Sequence, residues 1–368
     1  MTINKTGFFW NERCFWHSAG NFAFLLPVGG VVEPLSTSTL PETPESKRRL
    51  RNLLDVSGLS KDLELISCTT KVTYQDIIRV HSEEYIDNFI SLSNKDGGDL
   101  GLRAPFGPGG FDIACISASL VKEALFSVID GQYDNSYALS RPPGHHCLVD
   151  YPNGFCLLNN IAISVEAAIK SSKIEKVAIV DWDVHHGNGT ESIFYNRSDV
   201  LTISIHQEKN YPLDTGNIKD LGGPDAHLSN LNIPLFPGGG HSVYVYAINE
   251  LILPKLKQFN PDIVVIACGY DASGVDPLSR MLCGSDTFAY MTKKLMSFTK
   301  GKLVLAHEGG YSDVHVPFCG HSVLQTLSGS VVSVEDPLAD RIKAQQPGPT
   351  FDQLQFKRIR SIANLHGL

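Results

Sequence analysis

A doubly wound α/β fold built on a mostly parallel sheet is what this sequence of 368 residues predicts. Three observations lead there. Short β-branched runs, apolar on both faces, alternate with segments of helical length. Glycine and proline cluster where those runs end, and titratable residues gather just past the same ends.

In chain order, residues 6–10 form the first candidate strand, and helical patterns follow near 46–54 and 83–92. Gly107-Pro108-Gly109-Gly110 marks a loop before a helix at 111–129, and a strand at 136–140 runs into the stiff loop Arg141-Pro142-Pro143-Gly144. A helix at 159–170 leads to strands at 177–181 and 200–206. Phe236-Pro237-Gly238-Gly239-Gly240 then precedes a helix at 241–258, a strand at 262–268, a helix at 286–299 and a strand at 302–307, which ends in Glu308-Gly309-Gly310. The strands from 177 onward lack a polar face, as expected of parallel strands covered by helices on both sides. No repeat or linker interrupts the series, so residues 1–368 are expected to form a single domain, with ligands beyond the carboxyl ends of the strands.

Composition excludes several classes. With 42% hydrophobic and 19% charged residues the chain is too apolar for disorder, and its formal charge of -8 argues against sequence-independent nucleic-acid binding. The apolar stretch 22–32 is about half the ~20 residues a membrane helix needs and contains Pro27 and Gly29. Residues 1–10 do not read as a secretory signal, so a cytoplasmic location is expected. The eight cysteines form no C-x-x-C pair and are read as reduced, mostly buried thiols.

The strongest local signal is Asp181-Trp182-Asp183-Val184-His185-His186-Gly187-Asn188-Gly189, at the end of a buried strand. Acids and imidazoles at this density are costly to bury unless they bind a cation or one another. In an extended segment Asp183 and His185 point the same way, which makes them a natural pair of metal ligands, and Asp271 past another strand supplies a third. One imidazole and two carboxylates suit a catalytic Zn²⁺, and the oxygen-rich set also suits Fe²⁺ or Mn²⁺; the competing reading is a structural cap at a strand end. The tandem His145 and His146 read as further ligands, as a general acid and base, or as part of a structural turn. Tyr311, after two glycines, reads either as a hydrogen-bond donor to an oxyanion or as a packing residue.

Five ordered segments carry a family resemblance: Arg141-Pro142-Pro143-Gly144-His145-His146; Gly154-Phe155-Cys156-Leu157-Leu158-Asn159-Asn160; residues 181–190; Gly269-Tyr270-Asp271-Ala272-Ser273 with Asp276-Pro277; and Glu308-Gly309-Gly310-Tyr311. In these the sequence resembles the zinc-dependent histone deacetylases, specifically the class II branch and its bacterial deacetylase-like amidohydrolases. The resemblance implies an arginase-like α/β fold and removal of acetyl groups from lysine in proteins or peptides. It implies Zn²⁺ held by Asp183, His185 and Asp271, with Fe²⁺ as an alternative ion. His146 would act as general base and then acid, oriented by Asn188; His145, oriented by Asp181, would stabilise charge; Tyr311 would stabilise the oxyanion. Asn188, where class I relatives have aspartate, points to class II.

The resemblance further implies an acyl tunnel with Gly154, Phe155 and Gly310 at its walls, Tyr211 opposite Phe155, Leu278 near the mouth, and Asp99 as a rim carboxylate that binds substrate backbone. Structural K⁺ is implied at two places, one at Asp181, Asp183, His185, Ser204 and Ile205 and another at Phe194, Arg197 and Val200. An acetylpolyamine amidohydrolase on the same fold is the alternative enzyme; Leu278 stands where polyamine-selective eukaryotic relatives carry glutamate. A non-catalytic acyl-lysine reader would have lost His146, Tyr311 or a ligand, and all are present. An arginase-type two-metal site lacks its Asp-Ala-His-x-Asp run, and Gly238-Gly239-Gly240 is followed by His241 rather than a P-loop lysine. An acetylated lysine peptide or acetylated amine is the expected partner, with no nucleic acid and no membrane; self-association is left open.

Overall fold

A computed structural model describes residues 4–20, 22–23, 25–27, 41–68 and 71–368. Most of the apolar stretch 22–32 lies outside the described residues.

Eight parallel strands form one sheet: β1 (Thr6–Trp10), β2 (Glu64–Ser67), β3 (Asn135–Ala138), β4 (Val177–Asp181), β5 (Val200–Gln207), β6 (Asn230–Leu235), β7 (Ile263–Cys268) and β8 (Leu303–His307). Their spatial order is β6-β5-β4-β7-β8-β3-β1-β2. The helices are α1 (Glu45–Ser57), α2 (Tyr74–Ile78), α3 (Glu83–Ser93), α4 (Gly110–Ile129), α5 (Asn160–Lys170), α6 (Asn188–Phe194), α7 (His241–Ala247), α8 (Leu253–Phe259), α9 (Ser285–Thr299), α10 (Val316–Ser328), α11 (Ala339–Ala344) and α12 (Pro349–Leu365).

The strand residues explain the three layers. In β4, Val177 and Ile179 enter one hydrophobic core while Ala178 and Val180 enter the other. In β7, Ile263, Val265 and Ala267 alternate with Val264, Ile266 and Cys268 in the same way. Side chains of a strand project to opposite faces in turn, so a strand apolar at every position must be covered on both. One face is covered by Leu50 and Leu54 of α1, Phe288 and Leu295 of α9, and Leu324 of α10. The other is covered by Phe89 of α3, Val121 of α4 and Ile161 of α5.

Two strands that the pattern does not reveal lie at the sheet edges. β2 is largely exposed, with Glu64 and Ser67 at its ends. β6 reads Asn-Leu-Asn-Ile-Pro-Leu; its asparagines turn to Glu191 Oε2, and Pro234 sits on an edge strand that needs no donor on its outer side. The helix expected over 241–258 is α7 and α8 joined by a π-helical turn at Ile248–Ile252. Pro254 lacks the N–H that a regular turn would use, and the wider turn lies next to it. Among the described residues no helix is long and apolar enough to cross a membrane, and all eight cysteines are buried and none forms a disulfide.

The topology positions the site. The titratable loops follow β3, β8, β7 and β4, four strands that are neighbours in space though far apart in sequence. Their carboxyl ends form one continuous edge, where a doubly wound sheet binds ligands.

Candidate active site

After β4 the chain bends through residues 183–185 instead of continuing as a strand. Asp181 Oδ1 accepts the Asp183 N–H at 3.0 Å, and Asp183 Oδ1 accepts the His185 N–H at 2.9 Å. Asp183 and His185 therefore converge through two side-chain-capped bends, not through the strand alternation the sequence suggested. Asp271, from the loop after β7, accepts the Val184 N–H at 2.7 Å. His185 Nδ1 lies 3.0 Å from Asp183 Oδ1 and 3.1 Å from Asp271 Oδ2.

One ligand atom from each of Asp183, His185 and Asp271 falls within 4.8 Å of the others, with all three residues buried. Gly309 closes the cradle by donating its N–H to Asp183 Oδ2 at 2.8 Å. A Cβ on Gly309 would lie 2.3 Å from Asp271 Oδ2 and 2.6 Å from Asp183 Oδ2, so only glycine lets the β8 loop approach both carboxylates. Burial pushes Asp271 up to about 6, with the charge of Asp183 adding to the effect. Burial alone would lower His185, but Asp271 and Asp183 overcome it and raise the imidazole to about 10. A site that holds a proton this firmly between two carboxylates is suited to a divalent cation in the proton's place, and the donor set fits one.

The tandem histidines divide by partner. His145 Nδ1 lies 2.9 Å from Asp181 Oδ2, and burial is outweighed by Asp183 and Asp181, which raise His145 to about 10. His146 Nδ1 lies 2.8 Å from Asn188 Oδ1, at the start of α6. An amide oxygen only accepts, so His146 carries its proton on Nδ1 and leaves Nε2 a free acceptor. Burial, followed by the charges of His145 and His185, pushes His146 well below the ordinary imidazole range and keeps it neutral. The rings of His145 and His146 are 3.9 Å apart. Asn159 caps α5 and donates from Nδ2 to the Cys147 carbonyl at 3.2 Å, tying the histidine loop to that helix.

A pocket of about 140 Å³ opens onto this centre, with His146, His185 and Tyr311 among its lining. Phe155 and Tyr211 also line it, as do Gly154 and Leu278. Gly154 has φ 50, and a Cβ there would meet the His146 ring at 2.5 Å and the Tyr211 ring at 2.8 Å. The Tyr211 hydroxyl donates to Asn153, and its ring stands edge-on to His146 at 5.1 Å. Burial, with Asp271 and Asp183 adding to it, holds the Tyr311 phenol well above its ordinary range, so it remains a proton donor.

The other expected residues lie away from this pocket. Gly310 does not line the pocket; its carbonyl accepts from Ser46 Oγ at 3.0 Å. Asp99 is exposed in a short ribbon, Gly98–Asp99 paired with Pro105–Phe106, accepts the Gly101 N–H at 3.2 Å and does not line the pocket. Asp181 and Ser204 share a separate cavity of about 10 Å³, and Ile205 is a core residue of β5. Phe194, Arg197 and Val200 lie where α6 passes into β5; the Arg197 N–H donates to the Phe194 carbonyl, and its guanidinium pairs with Asp199 and Glu166.

The structure gives contacts to residues that the sequence reading left without a role. Glu308 Oε2 accepts the N–H groups of Gly144 at 2.6 Å and His145 at 3.1 Å, and burial raises its carboxyl to about 7. Asp276 accepts the N–H of Tyr311 at 2.8 Å and of Leu278 at 2.9 Å, so one carboxyl positions both residues. Arg141 is held by Glu42 through two bonds of 2.9 Å in the protein interior. Arg103 and Asn210 also line the pocket. Arg141, Asp276 and Glu308 were legible as parts of motifs; Glu42 and Arg103 have no local signature.

The chain is similar to known proteins over nearly its whole length. Residues 40–327 match the family model described as the histone deacetylase domain. The chain is 48% identical over 368 residues to a histone deacetylase-like amidohydrolase of Pseudomonas aeruginosa, covering 99% of this chain and 97% of that protein. It is 31% identical over 353 residues to histone deacetylase 8 of Arabidopsis thaliana, covering 92% of each. The crystal structure of the HDA15 HD domain superposes with a TM-score of 0.84 at 28% identity, covering 98% of this chain and 96% of that one.

Proposed function

The chain belongs to the histone deacetylase family, with its arginase-like α/β fold, and from that premise we propose that it is a zinc-dependent hydrolase of the class II branch that removes acetyl groups from the Nε amine of lysine in proteins or peptides. The observation that carries the reading is the convergence of Asp183, His185 and Asp271 beside a pocket lined by His146 and Tyr311. Asp183, His185 and Asp271 would hold the zinc, which when bound polarises the acetyl carbonyl and acidifies water.

The chain's own residues supply the remainder. His146 Nε2, left as an acceptor by the bond from Nδ1 to Asn188, takes a proton from the attacking water and returns it to the departing lysine amine. Tyr311 donates a hydrogen bond to the oxyanion as it forms, from a loop fixed by Asp276. His145, kept charged by Asp183 and Asp181, adds positive potential beside it. Phe155 and Tyr211 flank the aliphatic stem of the substrate lysine and exclude water from the reacting bond. Structural K⁺ near Asp181 and Ser204, and near Phe194, Arg197 and Val200, belongs to the same proposal, as does the working of residues 1–368 as one catalytic unit.

Leu278 favours acyl-lysine over acetylated polyamine, because it offers no counter-charge to a cationic backbone. The test is kcat/KM of the zinc-loaded protein on an acetyl-lysine peptide and an acetylated polyamine side by side, with Tyr311→Phe as control. Preference for the peptide, lost in the control, supports the proposal. Preference for the polyamine moves the substrate, and turnover of neither overturns it.

A further inference from the structure

Arg103 has no role in the chemistry above, yet it lines the same pocket. It lies between the two strands of the Gly98–Asp99 and Pro105–Phe106 ribbon, and its backbone is left-handed, with φ 56. A long side chain in that conformation is uncommon and is kept only where surrounding structure enforces it. Here the enforcement is visible. The Arg103 carbonyl accepts the Phe155 N–H at 2.8 Å, the Leu102 carbonyl accepts the Gly154 N–H at 3.0 Å, and the Leu102 N–H donates to the Pro152 carbonyl at 3.1 Å. The loop is thus stitched to the turn that supplies a pocket wall.

The guanidinium lies 5.6 Å from the centre of the Tyr211 ring, which is itself anchored to Asn153. Arg103 is exposed, and among the described residues no carboxylate pairs with it. Asp99, the acid on the same ribbon, has Oδ1 turned to Gly101 N. A cation with five N–H donors, carried on a backbone held beside a pocket mouth in a chain of formal charge -8, is a selective feature.

We infer that Arg103 forms a subsite for a carboxylate on the substrate, carried by a residue adjacent to the acetylated lysine, and that the same charge disfavours cationic acetylated amines. The inference rests on the deacetylase reading and extends it to substrate choice. Exposed ion pairs contribute roughly 0.2–1 kcal/mol, so Glu beside the acetyl-lysine gains up to about fivefold in kcat/KM over Ala, and Lys loses a similar factor. The preference shrinks at high ionic strength.

The test compares C-amidated peptides with Glu, Ala or Lys on either side of acetyl-lysine, and one with a free carboxylate on a C-terminal acetyl-lysine. They are used with the zinc-loaded protein and with Arg103→Ala, Arg103→Lys and Arg103→Glu; each new residue bears the same left-handed backbone. The readout is the ratio of acidic to basic peptide within each variant. A ratio well above one that survives in Arg103→Lys, collapses in Arg103→Ala and reverses in Arg103→Glu supports the subsite, and the free-carboxylate peptide identifies which source of carboxylate it takes. A ratio near one with brisk turnover, or one unchanged in Arg103→Ala, overturns the subsite and leaves the deacetylase reading standing. Calorimetric affinities of the same peptides for Tyr311→Phe read the subsite without turnover. A bias there with no turnover by the unmutated protein supports the subsite while the deacetylase reading fails.

Discussion

Replacing Asn188 with aspartate changes one atom of the side chain and places a negative charge 2.8 Å from His146 Nδ1. The amide that orients the imidazole becomes a carboxylate that also stabilises its protonated form. At a charge separation on the order of 4 Å and an effective dielectric near 20, the attraction is ~4 kcal/mol, and at about 1.36 kcal/mol per pH unit it raises His146 by up to ~3 units. Burial of the new charge offsets part of this, so a rise of about two units is expected. The sign is fixed by the role. A general base works unprotonated, so raising its pKa moves the acid limb of the pH profile of kcat/KM upward, and about 100-fold less free base remains at any pH below both limbs. The assay is kcat/KM on an acetyl-lysine peptide at saturating zinc, from pH 5 to 10, for Asn188→Asp against the unmutated chain. An acid limb that stays in place would refute the assignment of His146 as the base, of Asn188 as its partner, or both.

Three further outcomes follow from the geometry. Gly309→Ala puts a Cβ 2.3 Å from Asp271 Oδ2, so zinc affinity measured by competition with a chelator should fall by at least tenfold; an unchanged affinity contradicts the cradle. Asp276→Asn leaves either the Tyr311 or the Leu278 N–H facing an amide NH₂, at a cost of about 1–3 kcal/mol in thermal stability, with kcat reduced more than zinc affinity; retention of full kcat contradicts the positioning of Tyr311 through Asp276. His185 and His145 stand at about 10 in the metal-free fold, above an ordinary imidazole near 6.5. Their stabilisation is therefore complete below pH ~6.5 and is lost as pH rises through about 10. The melting temperature of metal-free protein should decline across that window, while zinc binding tightens with pH and releases protons, measured by calorimetry in buffers of different ionisation enthalpy; binding without proton release contradicts the reading.

The legible parts of the fold were those buried on both sides. β4, β7 and β8 are apolar at almost every position because helices cover both faces, and that is a signal carried by the residues themselves; β5 departs from it, with Leu201, Ile203 and Ile205 in one core and the buried polar Thr202, Ser204 and His206 alternating with them. β2 and β6 were not legible, because an edge strand has a single partner and tolerates Glu64, Asn230 and Pro234. The density of acids and imidazoles after β4 marked a candidate metal centre, since such groups are costly to bury without a counter-charge. How Asp183 and His185 converge was misjudged, because the capping bends depend on the Asp181 and Asp183 side chains rather than on strand periodicity. Glu42, whose partner Arg141 is distant in the chain, and Arg103, whose orientation depends on Gly154 and Phe155, express their roles only through tertiary contacts.

The central claim is that one cation, held by Asp183, His185 and Asp271, enables deacetylation. The most direct measurement strips the protein with chelator, returns zinc in known increments, and follows bound metal and acetyl-lysine peptide turnover in the same samples, with Asp183→Ala alongside. The account predicts turnover that rises in proportion to bound zinc, levels off at one ion per chain, and is absent from Asp183→Ala together with the tightly bound ion. Full turnover by metal-free protein, or by Asp183→Ala with no ion retained, would contradict it.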